Sequence, residues 1–230
     1  QRSLVGSEMC IRDKGSFMLP VSMGEKYKAI VSTTEGIKKE FSLPEPEANR
    51  LALSITERNG VIHYTILHTP QKKLSENLYL VAHIRGFLLF IQPIEKEQGA
   101  ISLQSVPEGI LTLTLLDGNY LPHSERLAFV RRENNSVWKL TPDKSSYGPR
   151  SPVSLDIHLS DLSGQPIKGN FSLSVTDNYA IGCDSIGDNI LSNLLLTSDL
   201  KGYIETPGYY FKNNSQRLKA CLDNLMLTQG

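Results

Sequence analysis

Apolar residues recur at every second position over long stretches between Tyr27 and Val175. That period suits half-buried β-strands, whose successive side chains point to opposite faces, and it does not suit helices. Leu51, Leu53 and Ile55 alternate with Ala52, Ser54 and Thr56. Leu78, Leu80, Ala82 and Ile84 alternate with Tyr79, Val81 and His83, and Leu111, Leu113 and Leu115 alternate with Thr112 and Thr114. The pattern predicts short antiparallel strands at Tyr27–Thr33, Lys38–Phe41, Leu51–Glu57, Val61–His68, Asn77–Ile84, Phe87–Pro93, Ala100–Ser105, Ile110–Leu116 and Arg126–Arg131. Asn59-Gly60 and Asp117-Gly118-Asn119 supply turn chemistry between them.

A polar stretch, Arg131-Arg132-Glu133-Asn134-Asn135-Ser136, reads as an interdomain linker. Beyond it, Trp138 and Leu140 share a face, Val153, Leu155, Ile157 and Leu159 share another, and Phe171, Leu173 and Val175 alternate with polar residues. Ser163-Gly164-Gln165-Pro166 turns the chain between the last two segments. After Asn178 the period changes. Asp188 is placed to cap a short helix through Leu196. Asn214 or Ser215 caps another, in which Leu218, Cys221, Leu222, Leu225 and Met226 fall at helical spacing. That stripe needs a partner, either the second β-domain or sequence beyond Gly230.

The 230 residues accommodate two domains of the usual ~100–150 residues. The expected class is all-β, with two immunoglobulin-like, macroglobulin-type β-sandwiches in tandem and a short C-terminal helical segment. The boundaries fall at 14–132 and 133–186, the second sandwich reaching 212 at its widest. Residues 187–230 form a truncated helical connecting segment. Residues 1–13, with Ser3-Leu4-Val5-Gly6-Ser7 and Cys10, resemble a translated sequencing tag, which places the native start near Lys14.

Residues 14 to 230 resemble macroglobulin-like domains of large Gram-negative envelope proteins. In the second sandwich the resemblance lies in Leu140-Thr141-Pro142-Asp143-Lys144, Tyr147-Gly148-Pro149-Arg150, Val153-Ser154-Leu155, Asp161, Gly164-Gln165-Pro166 and Phe171-Ser172-Leu173-Ser174-Val175-Thr176-Asp177. Val106-Pro107-Glu108-Gly109-Ile110, Leu115-Leu116-Asp117 and Ser124-Glu125-Arg126-Leu127-Ala128-Phe129-Val130 resemble the closing strands of the preceding domain in that family. The tail is the most specific part: the run from Asn189 to Gly202, Pro207-Gly208-Tyr209-Tyr210-Phe211, and Leu225-Met226-Leu227-Thr228-Gln229-Gly230. In those relatives, macroglobulin-like domains precede a carboxypeptidase-regulatory-like domain and the plug domain of a TonB-dependent receptor. The resemblance implies a periplasmic or cell-surface, outer-membrane-associated module that is structural or interactive rather than catalytic. Its partners would be neighbouring domains of the same polypeptide and envelope proteins or glycans. The alternatives are accessory domains of an envelope hydrolase and an adhesin or pilus-type module.

Chemistry-bearing motifs are sparse. Gly182-Cys183-Asp184-Ser185-Ile186 lacks the Gln that a macroglobulin thioester requires, and Cys10, Cys183 and Cys221 are too scattered for a disulfide framework. His63 and His68 lie five apart on one strand and face opposite ways, while His83 could reach His63 only across strands. Asp184–Asn189 departs from a calcium loop at Ile186. Neither a metal nor a cofactor is expected. No hydrolase or phosphate-loop signature occurs, so the expectation is a protein that is not an enzyme. The 24 basic residues balance 24 acidic ones, and Lys38-Lys39 and Arg131-Arg132 read as solvated pairs, so nucleic acid is not an expected partner. Arg85 interrupts the longest apolar runs well short of the ~20 residues a membrane helix needs, so this piece is not expected to insert in a bilayer. Tyr203, Tyr209, Tyr210 and Phe211, beside Pro207-Gly208, are the candidate partner contacts, with packing under the terminal helix as their alternative use.

Overall fold

The computed structural model describes residues 22, 24–33, 36–47, 50–69, 77–132, 136–170, 173–177, 182, 184 and 186–229. Residues 1–13, Cys183 and Phe171-Ser172 lie outside the described residues. The chain divides into two compact units, one of Gln1–Val130 with Ser185–Gly230 and the other of Arg131–Asp184.

In the first unit, β1 (Lys28–Ser32) and β2 (Lys38–Ser42) form a separate antiparallel ladder. Next come β3 (Leu51–Arg58), β4 (Val61–His68), β5 (Leu78–Ile84), β6 (Phe87–Ile94), β7 (Gln98–Ser102), β8 (Gly109–Leu116) and β9 (Pro122–Val130). They make two antiparallel sheets, ordered β3-β4-β7 and β6-β5-β8-β9. The β3–β4 connection is tight because Asn59 and Gly60 both take positive φ, at 51° and 75°, the combination that matches the twist of the flanking strands. At the other expected turn the left-handed residue is Tyr120, at φ 61°, and not one of Asp117-Gly118-Asn119.

The two sheets share one core. Leu51, Leu53, Ile62, Tyr64, Ile66 and Ile101 come from the three-stranded sheet. Leu78, Leu80, Ala82, Ile84, Leu111, Leu113, Leu115, Ala128 and Val130 come from the four-stranded one. These are the alternating positions of each strand, so the pleat carries each apolar set to one side. Each large apolar side chain buried there contributes about 1.5–3 kcal/mol. At one edge the sheets are tied by a hydrogen bond from the Leu53 amide to Ser124 Oγ at 3.0 Å.

A helical layer covers the outside of β8 and β9. It consists of α1 (Ile190–Ser192), a π-helical turn (Asn193–Thr197), a 3-10 turn (Pro207–Phe211) and α2 (Gln216–Gln229). Asn189 caps α1 through bonds from the amides of Leu191 and Ser192, while Asp188 accepts from the hydroxyl of Ser192. Ser215 Oγ accepts from the Leu218 amide at the start of α2. Leu218, Cys221, Leu222, Leu225 and Met226 are all buried. Leu196, Leu200, Ile204, Tyr210, Cys221, Leu222, Leu225 and Met226 pack with Ile110 and Leu127, and Phe129 joins them. The stripe's partner is therefore the first unit's own sheet, and neither of the two surfaces expected for it. Ile110, Leu127 and Phe129 sit on the opposite parity from the inner residues of β8 and β9, so those strands are apolar on both faces.

In the second unit, β10 (Ser136–Pro142) pairs with β11 (Leu155–Asp161), bringing Trp138 opposite Leu159 and Leu140 opposite Ile157. Trp138 and Leu140 remain exposed. The strand expected over Phe171–Thr176 does not appear in its described part: Leu173–Asp177 is irregular, and Leu173 and Val175 are exposed. The edge of β11 is met instead by Pro166, bridged to Ser160, and by the Ile167 amide, which donates to the Leu159 carbonyl. The described residues are thus mostly strand, in several antiparallel sheets with a short C-terminal helix, which places the chain in the all-β class.

Candidate functional site

The tail aromatics do not form one surface. Tyr210 is buried in the cluster under α2, and Tyr209 and Phe211 are half-buried against it. Phe211 meets Phe129 edge-on, with ring centroids 5.8 Å apart, and Tyr209 meets Tyr210 similarly at 5.7 Å. Tyr203 alone stands out, with 78% of its surface exposed. Three of the four rings therefore fasten the helical layer to β9, leaving one in water.

The histidines are dispersed. His63 and His83 lie on β4 and β5, which belong to different sheets, so the cross-strand approach considered for them does not occur. His68 contacts Glu97 and the Thr69 carbonyl, and His123 contacts Asp117. Among the described residues, no group of three or more potential metal ligands comes together. Asp188, in the Asp184–Asn189 stretch, accepts from Ser192 Oγ and Asn193 Nδ2 in the cap of α1. No described helix is long and apolar enough to cross a membrane.

A partly exposed aromatic pair, far apart in the sequence, has a defined geometry. Tyr79 and Tyr120 stack with centroids 5.7 Å apart and planes inclined by 27°. Tyr120 is carried by the β8–β9 loop, and Asp117 organises that loop. Its Oδ1 accepts from the amides of Asn119 and Leu121 at 2.8 and 3.0 Å, and its Oδ2 is 3.2 Å from His123 Nε2. The Asp117 amide donates to the Leu121 carbonyl, and the Tyr120 amide donates to the Asp117 carbonyl. These bonds hold Tyr120 in the left-handed region, which costs a non-glycine residue about 1–3 kcal/mol. The Leu121 amide is the main cause of a lowered Asp117 pKa, with smaller contributions from Asn119 and His123.

Two other carboxylates are also shifted down, again by their own loops. Tyr147 Oη donates to Asp143 at 2.6 Å, lowering its acidity range further with the help of the Ser154 amide and raising that of the tyrosine. Ser163 Oγ donates to Asp161 at 2.7 Å, with the Gln165 amide adding to the effect. In all three cases the largest cause is a group of the loop that the carboxylate itself belongs to: the Leu121 amide, the Tyr147 hydroxyl and the Ser163 hydroxyl.

No protein-family model matches this chain, and no curated protein matches it.

Proposed function

We propose that this chain is a non-catalytic structural and interaction module of an extracytoplasmic, outer-membrane-associated protein, built from β-sandwich domains of the macroglobulin type. The observation that carries this reading is the placement of the perturbed carboxylates. Catalytic sites gather shifted groups in a cleft, where each tunes another. Asp117, Asp143 and Asp161 instead accept hydrogen bonds chiefly from amides and hydroxyls of their own connecting loops, an arrangement that fastens those loops. Their chemistry serves to hold loops in fixed shapes on a sheet scaffold, the arrangement that recognition domains use.

The first unit supplies the sandwich-like body, two sheets over one core. In the second, Trp138, Leu140, Ile157 and Leu159 share the face that a second sandwich would bury. Envelope placement rests on the resemblance of the tail and of the Leu140–Asp177 segment, together with the spacing role that tandem sandwiches suit.

Antibodies raised against the chain, applied to fractions of the cells that make it, test the placement. The signal is expected in the envelope fraction and is expected to disappear when external protease is added after the outer membrane is permeabilised. A signal confined to the cytosol contradicts the reading, as would release of reducing ends or peptides from envelope polymers by the purified chain.

A further inference from the structure

We propose that the Tyr79–Tyr120 surface is a binding site for neutral carbohydrate, with Tyr120 stacking on the apolar face of a pyranose ring. The inference rests on the interaction-module reading and names the kind of partner that one of its surfaces takes.

The outer face of the four-stranded sheet is covered over Ile110, Leu127 and Phe129 by the helical layer. At its other end, the register sets Pro93, Tyr79, Leu116 and Pro122 in a row across β6, β5, β8 and β9. Tyr120 stacks on the second member of that row. It is 65% exposed and its neighbour Leu121 is 60% exposed. The left-handed backbone costs free energy, and the exposed ring offsets little of that cost by burial. The Asp117 bonds nevertheless fix the ring in place, so a ligand meets a preorganised surface and loses little by ordering it.

The chemistry bracketing the rings selects the ligand class. Gly118 lies against Asn77, which brings the side-chain amide of Asn77 to the same loop. Among the described residues, the hydroxyls of Tyr79 and Tyr120 and the side-chain amides of Asn77 and Asn119 have no hydrogen-bond partner. All four are neutral donor–acceptor groups, while the one carboxylate in the loop, Asp117, is committed to its own turn. A flat apolar surface with uncharged polar groups at its margin complements a sugar, which offers an axial C–H face and hydroxyls around its rim. An aliphatic protein hot spot would leave the amides unused.

Affinity electrophoresis of the full chain tests the assignment, using native gels that contain a soluble β-glucan, an α-glucan, a mannan or a xylan, and a gel with no polysaccharide. Retardation is expected in at least one. Tyr120→Asn removes the ring but keeps a residue that tolerates positive φ, and it is expected to weaken binding about tenfold. Tyr203→Ala, which removes an exposed ring outside the proposed site, is expected to stay near the parent chain. No retardation in any gel, or retardation unchanged in Tyr120→Asn, overturns the proposal. Concentration-dependent self-association in the ultracentrifuge that Tyr120→Asn abolishes, without retardation, also overturns it and assigns the surface to protein contact. Either failure leaves the fractionation result untouched, so the two readings fail separately.

Discussion

Arg126 Nη2 donates to the carboxylate of Asp223 at 2.6 Å, joining β9 to α2 across the first unit. The arginine side chain is only 8% exposed, whereas that of Asp223 is half-exposed. Nη1 of the same guanidinium donates to the Leu127 carbonyl. A buried cation that keeps one backbone acceptor but loses its counter-charge is costly. Asp223→Ala is expected to destabilise the chain by about 1–3 kcal/mol, read from the urea midpoint at unchanged slope. Arg126→Met, which removes the charge and keeps the packed stem, is expected to cost less than Asp223→Ala. The reverse order would show that the pair does not hold the helical layer.

The helical layer also depends on packing. Leu196 is fully buried among Ile110, Leu127 and the residues of α2. Leu196→Ala is expected to cost about 2–5 kcal/mol in the same denaturation assay. The exposed Leu194, two residues earlier in the same π-helical turn, is expected to change by less than about 0.5 kcal/mol on the same substitution.

Gly99 on β7 lies opposite Tyr64 on β4, and the tyrosine ring occupies the space that a Cβ at position 99 would fill. Tyr64 is itself buried in the shared core. Gly99→Ala is expected to displace the ring and destabilise the chain by about 1–3 kcal/mol. Tyr64→Leu together with Gly99→Ala is expected to recover part of that loss, measured as a non-additive double-mutant cycle.

How much of this was legible in the sequence follows from the physics of each element. The period-two runs on β3, β5 and β8 marked the inner faces directly, because each strand presents one set to the core and its residues need no knowledge of their partner. The helical stripe from Leu218 to Met226 was equally plain, yet its partner was not. Amphipathicity says that a surface is required and not which one. The clue lay in β9, where Leu127-Ala128-Phe129-Val130 is apolar on both parities, the mark of a strand covered twice. The tail aromatics are conspicuous because they cluster in sequence. Tyr79 and Tyr120 are far apart along the chain and meet only through the β5–β8 pairing and the Asp117 turn, which no local pattern encodes.

Asp117 makes the loop sensitive to acid. Its pKa is lowered in the folded chain, so its ionised form binds the Leu121 and Asn119 amides and contributes stability above the unfolded Asp value of about 3.9. That contribution is lost as pH falls through the lowered folded value. Amide exchange at Asn119 and Leu121 is therefore expected to accelerate, beyond the intrinsic pH trend, only at pH below the ordinary carboxylate range. Asp117→Ala is expected to show the faster exchange at neutral pH, with the β8 core amides unchanged. Equal protection of the two loop amides in Asp117→Ala would contradict the role assigned to this carboxylate.

Long-range methyl contacts measured by nuclear Overhauser spectroscopy on the intact chain test the architecture most directly. The two-sheet core predicts contacts from the methyls of Leu53, Ile62 and Ile66 to those of Leu80 and Leu113, and the helical cover predicts contacts from Leu127 to Leu222 or Leu225. If the sheet residues show only contacts within their own sheet, or if the α2 methyls show none to β9, then the pairing of faces on which the whole reading depends is wrong.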